Sequence, residues 1–66
     1  GVVTIDIVDL TGRRVRRLDA GSMPGGVQHV AWDGTRDGGE RARPGIYFAL
    51  ARAAGSESTA RVVLIP

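Results

Sequence analysis

No cysteine, no lysine and only one histidine occur in this chain of 66 residues. Without cysteine, neither a disulfide nor a thiolate metal site can reinforce the fold. A domain of about 60 residues buries only roughly 60% of the surface its unfolded chain exposes, so one small core is the ceiling. No apolar run approaches the roughly 20 residues that a membrane-crossing helix needs. Helical periodicity is absent as well. The first residues, Gly1 to Thr4, offer neither an initiator Met nor a charged segment, which predicts a piece of a longer protein rather than a signal peptide. Aromatic residues are scarce: Trp32, Tyr47 and Phe48 are the full set.

What is present is mostly arginine, glycine and alternating apolar residues. Nine arginines against seven acidic residues give a net charge of +2. The arginines at 13, 14, 16 and 17 and those at 36, 41 and 43 are interleaved with Asp6, Asp9, Asp19, Asp33, Asp37 and Glu40. Such mixing predicts a solvated face, not the one-signed stripe of a nucleic-acid binder. Val3, Ile5 and Ile7 alternate with Thr4 and Asp6, the period of a half-buried strand. Asp9-Leu10-Thr11-Gly12 then reads as a hairpin turn, with Gly12 supplying positive φ and Asp9 bonding back to the turn. Residues 14–18 read as the returning strand, with Val15 toward the core and a bulge or strand end at Leu18.

Gly21 to Gly26 is loop by composition, and 27–32 reads as a third strand that buries Val30 and Trp32. Residues 33–45 form a long polar connection. Residues 46–53 alternate Ile46, Phe48 and Leu50 with Tyr47, Ala49 and Ala51, so both faces are apolar and the strand is expected to be central and covered on both sides. After a turn at 54–57, residues 59–65 form the last strand, with Ala60, Val62 and Leu64 opposite Arg61, Val63 and Ile65. Five short strands separated by turns predict an all-β sandwich or barrel. The residues expected to build its core and turns are Ile5, Ile7, Gly12, Val15, Val30, Trp32, Gly34, Gly45, Tyr47, Phe48, Leu50, Val62 and Leu64.

Chemistry finds little foothold. Asp33-Gly34-Thr35-Arg36-Asp37-Gly38 resembles the opening of a calcium loop, but the position for the closing bidentate Glu is Pro44, and Arg36 places a positive charge inside the cage. A turn in which Asp33 and Asp37 bond to backbone amides is the better reading. His29 has no nucleophile to pair with, and the Gly-Gly pairs open no helix that could cradle a phosphate. The chain is therefore read as non-catalytic, with no cofactor, metal, small-molecule substrate or nucleic acid.

Taken in order, Ile7, Asp9, Gly12, Arg13, Val15 and Leu18, then Gly26, His29, Trp32, Asp33 and Gly34, then Gly38 or Gly39, Gly45, Tyr47 and Phe48, and last Val62-Val63-Leu64, form a pattern. It resembles the immunoglobulin-like domain shared by C-terminal sorting domains of type IX secretion and by the flagellar hook-capping protein. The resemblance implies a small antiparallel immunoglobulin-like (fibronectin-III-like) β-sandwich lacking one or two strands before Val3. It also implies an exported protein, located between the periplasm and the outer-membrane surface or beyond. The first functional expectation is a sorting module: a C-terminal domain, behind a cargo domain, read by the outer-membrane secretion machinery through Arg61, Val62, Val63, Leu64 and Ile65. The alternative is a structural or assembly module of the hook-capping type. A missing strand would leave an exposed sheet edge, so self-association is a further expectation.

Overall fold

The structure is a computed structural model, and residues 2–22 and 32–66 are described here. Four strands, β1 (Val2–Val8), β2 (Arg14–Ser22), β3 (Gly45–Ala53) and β4 (Ser56–Leu64), form one antiparallel sheet in the order β2-β1-β3-β4. The described residues are all-β, and this open sheet is consistent with a small immunoglobulin-like domain. The expected third strand over 27–32, with Val30 and His29, lies outside the described residues except for Trp32, which belongs to no strand.

β1 and β2 are joined as the sequence predicts. Gly12 N–H donates to the Asp9 carbonyl and Asp9 N–H to the Arg13 carbonyl, both at 3.0 Å, and Gly12 sits at φ +84°. This is a three-residue hairpin loop closed by a glycine in the left-handed region. The Asp9 carboxylate holds it from inside: Oδ1 accepts from Thr11 N–H (2.9 Å), the Thr11 hydroxyl (2.6 Å) and Arg13 N–H (3.0 Å). β2 runs on to Ser22, so Gly21 and Ser22 belong to the strand and not to the loop that composition suggests.

Two register shifts interrupt the β1–β2 ladder. Ile7 pairs with Arg16 but Val8 with Arg14, which leaves Val15 as an extra residue, and a second shift separates Thr4–Asp19 from Val3–Gly21. The bulge lies at Val15, upstream of the position that Leu18 suggested, and it turns Val15 into the core, where it is 2% exposed.

Strand alternation and register assign the two faces. Ile7 pairs with Ala49 and Ile5 with Ala51, while Tyr47 pairs with Val62 and Gly45 with Leu64. One face, here the inner face, therefore carries Ile5, Ile7, Leu18, Tyr47, Ala49, Val62 and Leu64. Ile7, Val15, Ala42 and Tyr47 are its buried centre, with Trp32 packed against them. The other face carries Ile46, Phe48 and Leu50. Phe48 and Leu50 are half-buried and Ile46 is exposed, so these residues do not build the core cluster. That corrects the expectation that placed Phe48 and Leu50 in the core. β3 is central in the sheet, but pairing with Ile5 and Ile7 brings its smaller residues, with Tyr47, to the buried side.

Residues 33–45 are more ordered than a polar connection suggests. Thr35 and Arg41 form an isolated antiparallel bridge. Between them Arg36 N–H donates to the Glu40 carbonyl (2.7 Å) and Gly39 N–H to the Arg36 carbonyl (2.9 Å), with Gly39 at φ +96°. This repeats the bonding of the 9–13 loop in a miniature hairpin, which lies over the inner face as its second layer.

Candidate interaction surfaces

The connecting hairpin is fastened at both sides of the sheet. At β2, Asp37 N–H donates to the Val15 carbonyl (2.9 Å), and Arg17 N–H donates to Asp37 Oδ1 (2.8 Å). Arg14 Nε–H reaches Asp37 Oδ2 at 3.2 Å. The arginine at 16, on the inner face, donates to the Thr35 hydroxyl (3.3 Å) and the Arg36 carbonyl (3.1 Å). At β4, Gly34 is buried so close to Leu64 that an added Cβ would stand 3.1 Å from Leu64 Cδ1. Between these points, Trp32 Nε1–H donates to the Thr35 carbonyl (2.9 Å), and its ring meets Tyr47 edge-on at 5.3 Å. The Tyr47 hydroxyl donates to the Arg43 carbonyl.

The apparent calcium loop is spent on this fastening. Asp33 Oδ1 accepts from Thr35 N–H (3.0 Å) and the Thr35 hydroxyl (2.6 Å), the same Asp-x-Thr arrangement as Asp9 and Thr11. Asp37 is committed to β2. Among the described residues no group of three or more histidine or acidic side chains could hold a metal ion. Hydrogen bonds from Thr35 hold the Asp33 carboxyl below its usual range, and the backbone bond from Arg17 does the same for Asp37. Asp9 is lowered chiefly by the Thr11 hydroxyl.

The outer face is less finished. Among the described residues it carries one buried charge, Asp6, which is 8% exposed. Arg17 grips it with a two-point fork, Nε to Oδ1 at 2.8 Å and Nη2 to Oδ2 at 3.2 Å. That fork lowers the Asp6 carboxyl below its usual range against the opposing effect of burial, and it raises the Arg17 guanidinium. The same face carries half-buried Val8, Phe48 and Leu50, and exposed Ile46 (42%) and Val63 (60%). Composition gave no hint that Asp6 would be enclosed. Its alternation with Val3, Ile5 and Ile7 suggested only a solvent-facing side chain.

The segment expected to carry a sorting signal is divided between these faces. Val62 and Leu64 pack against the core from the inner face, whereas Arg61 and Val63 are exposed on the outer face. Ile65 follows the strand and is 73% exposed. Gly12 takes the positive φ expected of it, and Gly34 and Gly45, named with it among the core and turn residues, also have positive φ. Sequence reasoning missed Asp6, Arg16 and Ala42, whose roles depend on what folds over them.

β4 is the edge of the sheet opposite β2. It pairs with β3 from Gly45–Leu64 to Ala53–Ser56 with no register shift. At the intervening turn, Arg52 Nε lies 3.3 Å from Glu57 Oε1 across an exposed pair. The nearby concavity, lined by Arg52, Ala53, Gly55, Ser56 and Glu57, is shallow.

No curated protein and no solved structure matches the chain significantly. The model of the FlgD Ig-like domain family does, over residues 1–57, from β1 through the fastened hairpin and β3 to the first residues of β4. With that span matched, the chain belongs to the FlgD Ig-like domain family.

Proposed function

We propose that this chain is a non-catalytic structural or assembly module that presents a sheet edge and an outer face to neighbouring protein. The observation that carries this reading is the match to the FlgD Ig-like domain over residues 1–57. The use of polar side chains supports it. Asp9, Asp33 and Asp37 are engaged in turn and loop bonds, and Asp6 in an ion pair, so these four carboxylates serve the fold. The parent is proposed to be an exported protein, with this domain joined to a further one.

The sorting reading draws on one observation: Val63 and Ile65 are exposed on and just after an edge strand. Against it, alternate residues of the same segment belong to the core, so a receptor could take the strand whole only by unfolding the domain. A reporter carrying an export signal, with this chain at its C-terminus, separates the readings in a host with a type IX system. Retention of folded reporter in the periplasm is the expected result. Delivery to the surface that disappears when residues 61–65 are deleted would overturn the assembly reading.

A further inference from the structure

The two edges of the sheet are treated differently. β2 carries two register shifts, and Asp37 occupies its rim through the Val15 carbonyl and the Arg17 N–H. Bulges and covering loops are the usual means of blunting an edge. β4 has neither among the described residues: it is nine residues long, regular and free of proline.

Its exposed backbone groups can be identified. The two-residue turn at Ala54-Gly55 makes Ala53–Ser56 a hydrogen-bonded pair, and the unshifted register carries that parity along the strand. Ser58, Ala60, Val62 and Leu64 therefore direct their N–H and C=O groups at β3. Glu57, Thr59, Arg61 and Val63 direct theirs outward, to the rim.

We infer that the partner of this rim is a second copy of the chain, bound by antiparallel β4–β4 pairing about a two-fold axis through Thr59. Charge selects both the partner and the register. In a two-fold antiparallel pair centred on Thr59, Glu57 of each copy lies opposite Arg61 of the other, and both are rim-bonding positions on the outer face. Centring on Glu57 or Arg61 would set like charges together, which disfavours pairing. The Thr59 register also places Ser58 opposite Ala60 on the inner face, where small side chains let the strands approach. Arg61 makes no ion pair among the described residues, while Glu57 is held beside Arg52. Pairing would seat each Glu57 carboxylate between its own Arg52 and the second copy's Arg61. The product is one continuous eight-stranded sheet with both outer faces on the same side.

This inference stands on strand geometry and does not depend on the assembly reading. Its test is sedimentation equilibrium of the chain from micromolar to millimolar concentration at low salt. The wild-type mass is expected to rise toward twice that of one chain. Glu57→Arg alone and Arg61→Glu alone should each stay at the mass of one chain, since each sets like charges at both contacts. An equimolar mixture of the two variants should regain the double mass, because every contact is then between opposite charges. Far-UV circular dichroism and Trp32 fluorescence verify that each variant keeps its fold. A wild-type chain that stays single throughout, single variants that still associate, or a folded mixture that does not would each overturn the proposal.

Discussion

Tyr47 shows how much one side chain carries in a core this small. Its ring packs edge-on against Trp32, and its hydroxyl ties β3 to the Arg43 carbonyl. Tyr47→Phe should keep the ring contact and lose about 1 kcal/mol with the hydrogen bond. Tyr47→Ala should cost about 3–5 kcal/mol, enough to unfold a marginal domain. Phe48→Ala, one residue on but across the sheet, should cost only about 1–2 kcal/mol because its side chain is half-buried. Urea unfolding of the three variants checks this order, and equal losses for Tyr47→Ala and Phe48→Ala would contradict the assignment of faces. That assignment was not legible in the sequence, since β3 is apolar on both sides and only its register with Ile5 and Ile7 decides between them. Asp6 sets a pH dependence. Its carboxyl is lowered in the folded chain, first by the Arg17 hydrogen bond, so its stabilisation is present above the unfolded value of about 4 and lost as pH falls through the folded value. Thermal melts between neutral and strongly acid pH should show stability falling in acid. Asp6→Asn should be less stable at neutral pH and fall less steeply.

Among the elements, the β1–β2 hairpin was the most legible. Its alternation, its Asp-x-Thr-Gly turn and its returning strand are all local, and local signals survive without knowledge of topology. The connecting hairpin was legible only in part: Asp33 and Asp37 do bond to backbone amides as the sequence predicts, but no nearby spacing reveals that the fastening bonds run to the Val15 carbonyl and Arg17 N–H. Two glycines test the difference between local and tertiary constraint. Gly12→Ala meets no atom within 4 Å and suffers only the backbone cost of positive φ, about 1–2 kcal/mol. Gly34→Ala has a similar φ of +82° and in addition crowds Leu64, so it should destabilise more. A larger drop in melting temperature for the Gly34 variant is the expected outcome. Equal drops would mean that Leu64 yields without cost.

For the whole molecule, all-β composition and the order of the four described strands along the chain were readable, but the arrangement β2-β1-β3-β4 was not. The edge status of β4 follows from that arrangement alone, so no inspection of residues 56–64 could have supplied it. Hydrogen exchange gives the arrangement a global readout. Amides of β1 and β3, paired on both sides, should exchange slowest. Along β4, protection should alternate in dilute solution, with Ser58, Ala60 and Val62 slow and Glu57, Thr59 and Arg61 fast. Raising the concentration should slow the second set, and uniform protection in dilute solution would show that the rim is already occupied.

In the language of polymer chemistry, the two register shifts of β2, with Asp37 on its rim, make the folded chain a monofunctional monomer. Two chains can join through their reactive ends, and the product has none left, so growth terminates at a closed pair instead of running on into a fibre. Asp37→Ala would release the Arg17 N–H but leave the Val15 carbonyl bonded to the backbone amide of residue 37 and both register shifts in place, so the β2 rim should stay blunted. Concentrated solutions of that variant should scatter no more light than the parent protein, and strong scattering would show that the Asp37 carboxylate alone guards this rim.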